Sequence, residues 1–297
     1  NGTKVETTYT PTVTPVVPTG VDKVTTDIQG ATQKAKIKFT SGDNEVPLDD
    51  DVPATFEDGS TKKVVPGQGT YTVAPDGTVT FVPEKSFSGI ATPVKVVRKD
   101  KNGTPATGTY TPIVKPASPY ATDVTTTGVQ GETQTGTPKF IGGSVDIDGV
   151  KKTVPINEDI PAKFEDGTTE KVIKGEGTYK VAENGTVTFI PEPGFTGVGT
   201  QLSVKRVDKN GEPAIGKYTA VVVGVTPTAK PAESTDVQGA TQKQPITFNG
   251  GVAQIEDPAG SGVQEKSVPI NPDSVTLLGK DGQPATEVEV KDPKDPN

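Results

Sequence analysis

A chain that writes the same long stretch twice at a fixed spacing folds as repeated modules. Residues 67–89 read GQGTYTVAPDGTVTFVPEKSFSG, and 108 positions further on residues 175–197 read GEGTYKVAENGTVTFIPEPGFTG. In the first copy Tyr71 and Val73 alternate with Thr70 and Thr72, then Val79 and Phe81 alternate with Thr78 and Thr80. A period of two belongs to half-buried strands. Between the runs stand Pro75, Asp76 and Gly77, matched by Glu183, Asn184 and Gly185. Asp-Gly and Asn-Gly supply the positive-φ positions of a tight turn, so the stretch is predicted to be a β-hairpin. Tyr71/Tyr179, Val79/Val187 and Phe81/Phe189 are kept between copies, whereas Thr72 becomes Lys180 and Gln68 becomes Glu176. One face is expected to be packed and the other wet.

The rest of the chain obeys the same repeat. Gln29-Gly30, Gln130-Gly131 and Gln238-Gly239 open successive units, and a strand then ends at Phe39, Phe140 and Phe248. Val46-Pro47, Val154-Pro155 and Val268-Pro269 follow, then FEDG at 56–59 and 164–167. Val94 and Val96, or Leu202 and Val204, give another inward set before a DKNG turn at 100–103 or 208–211 and a final strand. About seven short strands per unit, with turns every ~8–12 residues, predict an all-β chain of tandem Ig-like β-sandwich repeat domains. The expected division is 1–20, the last strand and linker of a preceding repeat; 21–118 and 119–227, complete repeats; and 228–297, the truncated front of a further repeat. The joints PTVTPVVPTG, PIVKPASPYAT and VTPTAKPAEST are rich in Pro and Thr and read as stiff spacers. The second unit is seven residues longer than the first between its first two Phe residues, Phe140 and Phe164 against Phe39 and Phe56. Gly, Asp, Ser and Lys there read as a lengthened surface loop. The tail at 1–20 and the incomplete third unit are expected to lack order in isolation.

Composition narrows function. Only four Leu occur, at 48, 202, 277 and 278, so the apolar set is mostly β-branched and suits strands. His, Cys, Met and Trp are absent, which removes disulfides, thiolate nucleophiles and the commonest general base and metal ligand. A net charge of −8 with scattered Lys and Arg argues against nucleic acid. No stretch is apolar enough to span a membrane.

Each candidate site has a plainer alternative. Asp49, Asp50 and Asp51 could hold calcium, but their counterparts are Asn157, Glu158 and Asp159, then Asn271, Pro272 and Asp273; a solvated loop is the preferred reading. Lys38 and Lys139 could form an isopeptide bond to Asn102 or Asn210, yet the third unit has Thr247 there and the Asn residues precede turn glycines. Arg98 and Arg206 share the inward parity of Val96 and Val204 and are expected to pair with a carboxylate such as the Asp of DKNG rather than bind an anion. Tyr71, Phe81, Phe87 and Tyr110 read as core, not as a sugar platform. Glu57 with Asp58, and Glu165 with Asp166, sit at a solvated turn unsuited to acid–base work. No catalytic, cofactor-binding or metal residue is assigned, no cofactor is expected, and the chain reads as no enzyme.

The strings TDVTTTGVQGETQTGTPKF, VPIN, GEGTYKVAENGTVTFIPEPGFTG and VKRVDKNGEPAIGKYT resemble the CshA-type fibril repeat of streptococcal cell-surface fibrillar adhesins. Tyr218-Thr219-Ala220 departs from it in lacking the Pro seen at Pro112, and LLGKDG departs from FEDG. The resemblance implies a secreted, cell wall-anchored surface protein of a Gram-positive coccus, with a role in adhesion and biofilm. Tandem repeats would there lengthen a stalk that presents a distal binding region, with neighbouring repeats as partners. The alternative is that the repeats themselves bind host glycoproteins or other bacteria.

Overall fold

The computed structural model describes residues 2–256, 262–278 and 282–284. Among them every extended element is a β-strand, and a single 3-10 turn at Pro272–Ser274 stands apart from the strands. Among the described residues no helix is long and apolar enough to cross a membrane.

The alternating stretch forms the hairpin its pattern predicts. Gly69–Val73 pairs antiparallel with Thr78–Pro83, with Tyr71 opposite Phe81. Tyr71, Val73, Val79 and Phe81 are buried, whereas Thr72 is exposed. The turn differs in type from the expectation. Only Gly77 has positive φ, and Gly77 N–H donates to the Ala74 carbonyl while Ala74 N–H donates to that of Thr78. This is a three-residue loop in which Pro75 takes the type I position that its fixed φ favours and Gly77 supplies the left-handed step. Ala182 to Thr186 closes the second copy identically.

Each repeat sets two sheets face to face. In the first, one sheet runs in the order Lys23–Ile28, Pro105–Lys115, Val94–Lys99 and Thr55–Phe56, with Gly89–Ile90 also on Pro105–Lys115; the other runs Gln33–Lys36, Thr78–Pro83, Gly69–Val73 and Lys62–Val65. Nine strands thus build the two layers, two more than the turn spacing suggested, because Gly89–Ile90 and Thr55–Phe56 are only two residues long. Lys23–Ile28 lies parallel to Pro105–Lys115, so the first and last strands of the repeat close on each other. The strand Lys23–Ile28 precedes the Gln29-Gly30 mark; that dipeptide is the turn that carries the chain across to the second sheet, with Ala31 N–H donating to the Ile28 carbonyl. In the second repeat the orders are Val124–Val129, Pro213–Val223, Leu202–Val207 and Lys163–Phe164, then Gln134–Gly136, Val187–Pro191, Gly177–Val181 and Glu170–Ile173.

Aromatic rings fill the space between the sheets. Tyr71 and Phe81 stand 4.5 Å apart, with Tyr110 edge-on to Tyr71 at 6.4 Å. Tyr179, Phe189 and Tyr218 repeat this at 4.4 and 6.4 Å. Burying each such side chain contributes about 1.5–3 kcal/mol. Phe87 packs against the same core, so the aromatics are core residues as expected.

A buried polar chain ties the layers together. Thr25 Oγ1 donates to Gln33 Oε1 and contacts the Tyr110 hydroxyl at 2.8 Å, while Gln33 Nε2 donates to the Ile113 carbonyl at 2.9 Å. Since Thr25 uses its one proton on Gln33, the Tyr110 hydroxyl is the donor to Thr25. Thr126, Gln134, Tyr218 and Val221 reproduce the arrangement, and Ser234 bonds Gln242 in the third repeat. Removing one partner strands the others in an apolar layer. Gln134→Leu is therefore expected to lower the stability of the second repeat by about 1–3 kcal/mol, read as a lower denaturant midpoint in the whole chain. An unchanged midpoint would show that the network carries no stability.

The described residues divide into two compact units whose limits cut across the repeats. One holds 1–120 with 140–157 and 207–214; the other holds 121–139, 158–206 and 215–297. Part of the second repeat thus belongs with the first. In the first unit residues 2–15 are exposed and free of regular structure, and Thr19–Val21 pairs with Lys38–Thr40. In the second unit Thr228–Lys230 pairs with Thr247–Asn249. The LLGKDG element lies partly outside the described residues.

Candidate functional site

The seven extra residues of the second repeat are not a plain surface loop. The segment GGSVDIDGVKKTV alternates apolar and polar residues around Asp148-Gly149, and both of these have positive φ, 52° and 79°. That is a two-residue type I′ turn, whose twist matches that of paired strands. Gly143–Ile147 accordingly pairs with Val150–Val154, with Ile147 opposite Val150. The insertion is a hairpin and not a loop because Val145, Ile147, Val150 and Val154 share one face about the positive-φ Asp148-Gly149 turn, with the charged residues interleaved.

The hairpin's apolar side faces the preceding repeat within the first compact unit. Ile147 and Val154, with Val145, pack against Ile28, Ala31 and Ala117. Lys152 Nζ lies 2.7 Å from Asp27 Oδ1 beside this patch. Asn210, from the DKNG turn, donates through Nδ2 to the Gln29 carbonyl at 3.0 Å. Gln29 itself is 6% exposed and holds the connection, donating to the Lys85 carbonyl and accepting from Ala117 N–H.

A second joint is built the same way within the other unit. Val252–Glu256 pairs with Val263–Ser267, and Ala253, Ile255 and Val268 pack with Val129, Val223 and Val225. Lys266, at the hairpin position of Lys152, bonds Glu132. At the equivalent place in all three repeats, with or without a hairpin, the incoming chain presses on a glycine. A Cβ on Gly143 would stand 2.4 Å from the Ala117 backbone, one on Gly251 2.4 Å from Val225, and one on Gly42 2.6 Å from the Val17 backbone. The Pro-rich joints are also shorter than expected. Pro112 lies inside the strand Pro105–Lys115 and Tyr120–Thr122 is itself a strand, which leaves residues 116–119 as the connection.

The other singled-out residues have structural surroundings. Arg98 donates to Asp50 at 2.8 Å and to the Asp49 carbonyl, and Arg206 donates to Glu158 at 2.7 Å. Their partners come from the acidic loop and not from DKNG; Asp100 and Asp208 are buried, each accepts two backbone N–H bonds of its own turn through Oδ1, and the Oδ2 of each has no hydrogen-bond partner among the described residues. Lys101 spans Asp49 and Asp51 at 2.6 and 3.0 Å. Among the described residues no three acidic side chains are grouped to hold a metal ion. Lys38, Lys139 and Asn102 are exposed. Glu57 pairs with Lys95, Asp58 accepts from Ser60, Glu165 N–H donates to the Ser203 carbonyl, and Asp166 pairs with Lys171. A groove of about 630 Å³ in the first repeat is lined by Lys23, Lys36, Lys38, Asp50, Asp76 and Arg98, of which Lys36 with Asp76 and Arg98 with Asp50 are ion pairs.

Several exposed carboxyls titrate low. The Thr78 backbone N–H, then Lys36 and the Thr78 hydroxyl, hold Asp76 down to about 2; Lys171 and Thr168 do the same for Asp166, again about 2. Lys101 lowers Asp49. A depressed carboxyl stabilises the fold at pH above its unfolded value, and that contribution is lost as pH falls through the folded value. With no His, no side chain has its ordinary pKa between 5 and 8. The melting temperature is expected to be flat from pH 8 to 5 and to fall between about pH 4 and 2 in calorimetric scans.

The model of the surface adhesin CshA repetitive domain matches residues 15–114, 116–222 and 224–293. The chain belongs to this family. The structure of repeat domain 13 of the fibrillar adhesin CshA from Streptococcus gordonii is 63% identical over 24% of this chain and 90% of its own, at a TM-score of 0.15. Mouse cadherin-23 EC22-24 is 12% identical, covering 71% of this chain and 67% of its own at 0.26, and Drosophila N-cadherin EC1-3 is 13% identical, covering 70% and 68% at 0.25. No curated protein matches the chain. The CshA repeat is thus the module written along this sequence, as its hairpin strings implied.

Proposed function

We propose that this chain is a stalk segment of a cell-surface fibrillar adhesin, a non-enzymatic array that lengthens a fibril and holds a binding region away from a cell wall-anchored base. Its modules are 21–118 and 119–227, flanked by 1–20 from a preceding repeat and 228–297 from a following one. The observation that carries this reading is the joint made twice from equivalent residues, Ile147, Val154 and Lys152 of the second repeat against the first, and Ile255, Val268 and Lys266 of the third against the second. A contact that recurs from one repeat to the next is what a linear array requires, since each module then touches only its neighbours. Membership of the adhesin repeat family supports the same role. Small-angle scattering on arrays of increasing repeat number tests it. The maximum dimension should grow by several nanometres for each ~100-residue module added. A compact particle whose size barely changes would overturn the proposal.

A further inference from the structure

Hairpin-bearing and hairpin-free repeats differ at one place, the segment between the first-strand Phe and the Val-Pro pair. In the second repeat this segment is Gly143–Val154, a full hairpin. In the first it is the short run 40–45, closed only by an Asp43–Val46 bridge. The short run has no apolar alternation to offer a neighbour, whereas both hairpins present aliphatic side chains on one side and a Lys at the same register position.

The surface that receives the hairpin is also matched. Ile28 corresponds to Val129 and Ala117 to Val225, so the apolar patch is kept. The carboxylate moves. Asp27 serves Lys152, while the position equivalent to Asp27 in the second repeat is Gly128 and Glu132 serves Lys266 instead. Each end face therefore offers one acidic partner to the incoming Lys, reached from a different residue.

We infer that the end face around Ile28 and Ala117, or Val129 and Val225, is a recognition surface for the hairpin of the repeat that follows. A joint is clamped only where that following repeat carries the insertion. Repeats of the first kind leave the joint before them free to bend, so the pattern of insertions along an array sets where it is stiff. The apolar patch supplies adhesion, and the Lys–carboxylate pair fixes orientation, as charged rims do in protein interfaces. The inference takes the tandem arrangement from the stalk reading.

The test uses the whole chain with spin labels on Thr72→Cys and Lys180→Cys, two exposed equivalent positions in a protein without native cysteine. Replacing residues 141–153 by residues 40–45 should broaden the distance distribution roughly two-fold or more, because the connection 116–119 is then supported only by Val154 and by the single Asn210–Gln29 hydrogen bond. Lys152→Glu should broaden it too, by setting a like charge against Asp27, and Asp27→Lys combined with Lys152→Glu should restore the narrow distribution. The two charge variants alter no core residue and remain informative where the replacement fails to fold. Unchanged widths in the replacement, or equal widths in the single and double charge variants, would overturn the clamp. Scattering dimensions that still grow with repeat number would leave the stalk reading standing in that event.

Discussion

Phe189→Ala should melt the second repeat far below its native transition. Phe189 is fully buried, stacked 4.4 Å from Tyr179 and edge-on to Phe195 at 6.0 Å. Truncating such a ring leaves a cavity between sheets that cannot collapse, at a cost of about 3–5 kcal/mol. Against a total of about 5–15 kcal/mol, that is a large share of one repeat's stability. For a module of this size each kcal/mol shifts the midpoint by about 4–8 °C, so a fall on the order of 15–30 °C is expected. Thr188→Ala, on the opposite face of the same strand, should stay within about 0.5 kcal/mol. Thermal unfolding of the whole chain, followed by circular dichroism, reads both. Equal effects from the two substitutions would contradict the packed-face account.

Gly177→Ala should be nearly as damaging, for a backbone reason. Gly177 opens the central strand Gly177–Val181 at φ 152°, and a Cβ there would lie 2.2 Å from the Ile190 carbonyl oxygen and 2.8 Å from Pro191 Cα. These are backbone atoms of the paired strand and cannot rotate aside. The unfavourable φ and the clash together should cost about 3 kcal/mol or more. Gly175, two residues earlier, has φ 83°, and an added Cβ meets nothing within 4 Å. Gly175→Ala should therefore cost only the left-handed conformation, about 1 kcal/mol. Denaturant titration of the two variants should rank them widely apart; equal midpoints would mean the strand pair can shift to make room. Gly69 repeats the arrangement of Gly177 against Val82 and Pro83.

Much of this was legible in one dimension. Alternation at Tyr71, Val73, Val79 and Phe81 declared a hairpin and its buried face, because strand side chains point to opposite sides at every step. The DKNG and FEDG turns could be read from Gly103 and Gly59, which do adopt positive φ. The partner of Arg98 was missed. Parity placed the guanidinium, but Asp100 turns its Oδ1 to the backbone of its own turn, and the ion pair is made by Asp50, which arrives from a distant loop. Gln33 and Gln134 were missed as well, since an uncharged polar side chain in a strand carries no periodic signal until its partners across the core are known.

Local chemistry by itself determined the strands, their inward residues, the turns and the repeat spacing, because each depends on neighbours a few positions away. The tertiary structure alone decided what the insertion does. Ile147 and Val154 meet Ile28 more than a hundred residues distant, and Lys152 finds Asp27 across the same span. Contacts of that sequence separation leave no mark in local patterning, so a segment that reads as a polar loop can be the piece that joins one repeat to the next.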